Sequence, residues 1–88
     1  MKSYNNHVRI EGVVRNIRYD TTLNAVYFDL HRYGEIFKCF ASGKMYDHMK
    51  ETINQGDEVK VSGVLIQVID KDKEDFVTEI AAFTVGIL

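Results

Sequence analysis

The side chains in this sequence that are suited to chemistry are of the recognising kind rather than the bond-making kind. Tyr27, Tyr33 and Phe40 are interleaved with His31, Arg32 and Lys38 in "AVYFDLHRYGEIFKCFA", and Arg9, Arg15 and Arg18 lie a short way upstream. Flat π-faces beside cations are what unpaired bases and their phosphates require: a base stacked on an aromatic ring contributes about 1–3 kcal/mol, and each phosphate that is neutralised releases counterions. The same aromatics would also serve to cover a barrel end or a contact between subunits, with the charges as ordinary solvated surface. Catalytic chemistry lacks its parts. The serines lie in no nucleophile-elbow context, and no glycine-rich loop leads into a helix as a phosphate cradle would. His7, His31 and His48 are scattered without metal-ligand spacing. Asp70, Asp72, Glu74 and Asp75 lack the central glycine and the closing bidentate Glu of a calcium loop. No enzyme activity, cofactor, metal or small-molecule substrate is expected.

Charge qualifies the recognition reading. The 88 residues carry a formal net charge of −2, which gives no global attraction to a polyanion and argues against a simple basic clamp. Position matters more than the sum, since residues 1–50 hold eight Lys and Arg against five Asp and Glu, whereas residues 51–88 hold three against eight. The positive charge therefore sits early, with the aromatic stretch.

A chain of this length has apolar volume for one core, so residues 1–88 are expected to form a single domain. With 45% hydrophobic and 27% charged residues the composition is that of a soluble globular protein, and no apolar run approaches the roughly 18 residues needed to cross a bilayer. "MKSYNNHVRI" has no apolar h-region, and the single Cys39 fits a reducing compartment, so a cytoplasmic location is expected. Cys39 itself reads as a small buried apolar residue.

The elements that must position these residues are nearly all strands. Val8 to Val14 alternate with His7, Arg9 and Glu11 in the period-two pattern of a half-buried strand reaching Arg18, and "YDTTLN" follows as a polar turn. A second strand places Val26, Phe28 and Leu30 on one face and Tyr27, Asp29, His31 and Tyr33 on the other. Gly34 permits a tight hairpin, and the third strand sets Phe37, Cys39 and Ala41 opposite Ile36, Lys38 and Phe40. Between Ser42 and Gly56 the period changes: Met45, Met49 and Ile53 recur at helical spacing, with Gly56 suited to the helix end. The fourth strand, "DEVKVSGVLIQVI", turns Val59 and Val61 inward and Lys60 and Ser62 outward. "DKDKED" is an exposed hairpin tip, and "FVTEIAAFTVGIL" is the fifth strand, with Phe83, like Phe28 and Phe37, expected in the core.

Five strands with one short helix between the third and fourth is the chain order of an all-β, five-stranded OB-fold barrel. That order explains why "VRIEGVV" and "VKVSGVL" each carry a glycine inside a strand. Closing so few strands into a barrel demands sharp coiling, and Gly12 and Gly63 fall where the two long strands must bend.

"NHVRIEGVV", "SGKMYDHMKETINQGDEVKVSGVL" and "TEIAA" resemble, in turn, the opening strand, the helix with its Gly-Asp turn and following strand, and the last strand of bacterial single-stranded-DNA-binding proteins. The Gly-Asp-x-Val-x-Val-x-Gly piece also recurs in anticodon-binding OB domains of tRNA synthetases. The resemblance implies single-stranded DNA as partner in replication, recombination or repair. Departures accompany it: Tyr33-Gly34-Glu35 closes a connection that in the family is a long basic hairpin, the tryptophan platforms are missing, and the chain stops at "FTVGIL" without an acidic tail. In this compact form it resembles the small primosomal replication proteins of that family, which are dimers binding single strands. "VLIQVI" (Val64–Ile69) is apolar at nearly every position, so with Leu65 turned inward Ile66 or its neighbours face outward, and a homo-oligomer, dimer or tetramer, is expected to cover them. An OB-fold protein-interaction or assembly module, or an RNA-binding OB domain, are the alternative functions.

Overall fold

The computed structural model describes residues 5–88, in which the elements follow as β1 (His7–Asp20), β2 (Ala25–Arg32), β3 (Glu35–Ser42), α1 (Lys44–Thr52), β4 (Glu58–Asp70) and β5 (Asp75–Ile87). The strands close into a barrel in the order β1-β2-β3-β5-β4, with β4 returning to β1. All pairings are antiparallel except a parallel seam between β3 and β5, where Cys39 faces Ile80 and Phe40 faces Ala81. This is the OB-fold barrel that the order of elements predicts.

Alternation decides what is inside. Val26, Phe28 and Leu30 of β2 meet Ala41, Cys39 and Phe37 of β3 in register, and all but the half-buried Phe37 are buried. Val14 of β1, Val59 and Val61 of β4, and Ile80 and Val85 of β5 complete the walls. The helix closes one end of the barrel: Met49 and Ile53 are buried at the predicted spacing, joined by Tyr46, while Met45 is only half-buried. Tyr19 lies at the end of β1 rather than in the turn, where its hydroxyl donates to the Met49 carbonyl at 3.3 Å and its ring meets Tyr46 edge-on.

The two strand glycines answer to close approach. β1 pairs with β4 from His7 to Val13 and with β2 from Val13 onward, so it changes neighbours beside Gly12. A Cβ at Gly12 would lie 2.8 Å from the His31 carbonyl oxygen and 2.9 Å from Leu30 Cγ. At Gly63 it would collide with the Ala81 carbonyl oxygen and lie 2.9 Å from Ala82 Cα. β5 presses against β4 there because the register slips: Ser62 pairs with Thr84 and Gly63 with Ala82, leaving Phe83 as a bulge.

The hairpin of β2 and β3 turns through Tyr33 and Gly34, both at positive φ (45° and 80°), the two-residue connection whose twist suits paired strands. The hairpin of β4 and β5 runs on beyond the barrel wall as a two-stranded ribbon, with Ile69 opposite Phe76 and both well exposed. The expected inward placement of Leu65 is corrected here. Leu65 is 40% exposed and Ile66 is half-buried, because past Gly63 the strand leaves the core and its phase no longer selects a buried side.

Candidate nucleic-acid interface

Register sorts the outward side chains of β1, β2 and β3 into three rows: Val13, His31 and Ile36; Arg15, Asp29 and Lys38; Arg18, Tyr27 and Phe40. The third row has the makings of a stacking site. Tyr27 and Phe40 are half-buried, so their rings are held by the sheet, with centroids 6.4 Å apart and planes inclined at 34°. Arg18 stands beside them in a shallow cleft with Tyr19, Asp20 and Tyr27. That Arg15 and Arg18, at an odd spacing, both face outward is the work of a bulge. β1 carries one extra residue between them, Asn16 takes φ 53°, and Ile17 turns onto the core.

In the middle row Lys38 is neutralised from within, while Arg15 has no ion-pair partner among the described residues. Asp29 is 6% exposed, accepts a 2.8 Å hydrogen bond from Asn16 Nδ2, and lies 3.1 Å from Lys38 Nζ. Burial works against its charge, but the Asn16 and Lys38 hydrogen bonds and the positive charges of Lys38 and His31 outweigh it and hold the carboxyl below its ordinary value. Lys38 therefore arrives at the surface already committed to a partner. Behind this row, burial, reinforced by the charges of Asp29 and Glu79, pushes the Cys39 thiol up to about 12, which keeps it protonated and unreactive.

Arg9, His31, Arg32 and Tyr33 come together elsewhere, around an open groove of about 690 Å³ that runs along β1 beneath the β2–β3 turn. The Arg32 guanidinium lies 5.4 Å from the centroid of the Tyr33 ring, which is 93% exposed, and Arg32 Nε is 3.8 Å from Glu35. His31 Nε2 and Arg32 Nε are shielded from solvent and have no hydrogen-bond partner among the described residues, an unmet polar demand that costs stability. Glu11, Glu58 and Lys60 also line the groove, giving it mixed charge.

Of the nine predicted residues, register sets Arg15, Arg18, Tyr27, His31, Lys38 and Phe40 in the three rows, while Arg9, Arg32 and Tyr33, with His31 again, line the groove. Two residues of this surface escape a sequence reading. Lys60 joins the groove only because β4 pairs beside β1 opposite Glu11. Phe83, expected in the core, is 55% exposed, since the bulge in β5 turns it out. The bulge also accounts for the burial of both Ile80 and Val85, which an odd interval would set on opposite faces of a regular strand.

Among the described residues no group of three His, Cys, Asp or Glu is placed to hold a metal ion, and no helix is long and apolar enough to cross a membrane. No protein-family model matches the sequence, and no curated protein matches it at the sequence level. Solved structures do match. A small single-stranded DNA binding protein from Mycoplasma pneumoniae superposes with a TM-score of 0.71 at 15% identity, covering 93% of this chain and 92% of its own. The SSB domain of a protein from Synechococcus sp. superposes with a TM-score of 0.72 at 17% identity, covering 98% and 99%. Over nearly its whole length, then, this chain has the same fold as a small single-stranded DNA binding protein and an SSB domain.

Proposed function

We propose that the chain binds single-stranded DNA on the outer face of β1, β2 and β3, as a non-enzymatic component of replication, recombination or repair. The row formed by Arg18, Tyr27 and Phe40 carries this reading: two rings held by the sheet beside a cation with no ion-pair partner among the described residues. Stacking selects unpaired bases, and a chain of net charge −2 has little general affinity for duplex phosphates. The likeness to a small single-stranded DNA binding protein and to an SSB domain supports DNA over RNA. Residues 1–88 act as one domain, and the single, buried Cys39 suits the cytoplasm. Fluorescence-anisotropy titration with oligo-dT, oligo-rU and duplex DNA at low and physiological salt tests the reading. Oligo-dT is expected to bind more tightly than duplex and to weaken as salt rises; equal affinity for duplex refutes the proposal, and tighter binding of oligo-rU reassigns it to RNA.

The exposed pair Ile69 and Phe76, with Leu65 on the same face of the ribbon, favours self-association as well. Sedimentation equilibrium should find a dimer or larger species; a single component at 10.1 kDa into the high micromolar range would refute it.

A further inference from the structure

Phe83 occupies a position that the three rows of the front face do not explain. It sits at the bulge of β5, 55% exposed, with its ring centroid 5.9 Å from that of His7 on β1 and the planes inclined at 60°. It is also shared by two shallow clefts. One, of about 390 Å³, is lined by Phe40, Ser42, Lys44 and Phe83 among others. The second, of about 360 Å³, is lined by His7, Arg9, Ser62, Gly63 and Phe83. Phe40 therefore belongs at once to the Tyr27 row and to the cleft that ends at Phe83, and Arg9 belongs both to the second cleft and to the groove beneath Tyr33. Aromatic faces and cations form a band that leaves the front face, crosses the β3–β5 seam and arrives at β1 from the other side. Gly63 makes the band possible, since only a residue without Cβ lets β5 approach closely enough to bulge and present Phe83.

We propose that Phe83, backed by His7 and flanked by Lys44 and Arg9, is a second base-stacking platform, and that a bound single strand continues from Phe40 across the seam onto it. The proposal rests on the reading of the front face as a single-strand site, and it specifies the path of the ligand. Continuity with that face favours a nucleic-acid strand as occupant over a second copy of the chain, and the two flanking cations have no ion-pair partner among the described residues.

The test uses length. Anisotropy titrations with oligo-dT of about 5 and about 15 nucleotides sample the two ends of the range of OB-fold site sizes. Phe83→Ala should leave the short oligonucleotide's affinity unchanged and weaken the long one by about 5- to 150-fold, the loss of one stacked base. Tyr27→Ala should weaken both. Because the chain has no Trp, Phe83→Trp supplies a direct second readout that does not depend on truncation: its fluorescence should be quenched by the long oligonucleotide and not by the short. If Phe83→Ala leaves the long oligonucleotide unaffected while Tyr27→Ala weakens it, the second platform is refuted and the front face stands. If neither change alters binding, or the protein binds no oligonucleotide, the reading of the front face fails and this proposal with it. A fall in sedimentation mass for Phe83→Ala at unchanged DNA affinity would show Phe83 to be a contact between copies and overturn the assignment to DNA.

Discussion

The wall made by β1, β2 and β3 and the ribbon made by the outer parts of β4 and β5 are built from similar residues to different effect. In the wall, Val26, Phe28 and Leu30 are buried and the outward rings of Tyr27 and Phe40 stand half-buried on that footing. In the ribbon, Ile69 and Phe76 face each other across the strands at 66% and 63% exposure, with no core beneath them. Apolar alternation is present in both. Only where a strand has a packed neighbour below does it become a fixed platform, and a binding ring must be placed on such a platform if its orientation is to be settled before the ligand arrives.

The difference is broken most strongly at the core. Phe28→Ala should destabilise the protein by about 3–5 kcal/mol in urea unfolding, whereas Phe76→Ala should stay within about 0.5 kcal/mol. Equal losses would mean that the ribbon is as integral to the fold as the wall. On the outer face, Tyr27→Ala should cost about 1–3 kcal/mol of oligo-dT affinity by anisotropy while leaving the circular dichroism spectrum and the unfolding midpoint nearly unchanged. Should it unfold the barrel instead, Tyr27 is part of the core wall. Arg18→Ala should lower affinity more evenly, and reduce the magnitude of the slope of log K against log salt by about 1, the signature of one lost phosphate contact.

A smaller effect concerns Asp29. Its carboxyl is held below the ordinary value of 3.8 in the folded state, so its charge stabilises the fold in full above that pH and ceases to do so as pH falls through the lowered folded value. The difference in urea midpoint between wild type and Asp29→Asn should be constant from neutral pH down to about 4 and shrink below it. A difference that grows on acidification would contradict the assigned direction.

Much of the fold was legible because a half-buried strand writes its burial into the sequence at period two. The faces of β2 and β3, the hairpin at Gly34 and the helix face with Met49 and Ile53 all follow from spacing. What spacing could not supply were the two bulges and their consequences. The bulge at Asn16 brings Arg18 onto the same side as Arg15 and lets Asn16 reach Asp29, and the bulge at Phe83 moves a phenyl ring from expected core to surface. Each shifts the phase by one residue, after which the pattern names the wrong face. Asp29 was rightly assigned outward, yet it is buried, because the side chains that cover it come from neighbouring strands and not from its own. The mixed groove was illegible for the same reason: Arg9, Lys60 and Tyr33 meet only after β1 has been paired with β4 and the β2–β3 turn has folded over.

The seam between β3 and β5 is joined through two residue pairs, Cys39 with Ile80 and Phe40 with Ala81, whereas every other neighbouring pair of strands is joined through a longer ladder. A cylinder with one thin wall breathes there first. Local opening at the seam breaks fewer hydrogen bonds than opening elsewhere, so its amides should exchange with solvent ahead of those between β1 and β4. Phe40 and Phe83 stand on opposite banks of this line, so opening of the seam would change the distance between them while leaving the longer β2–β3 ladder intact.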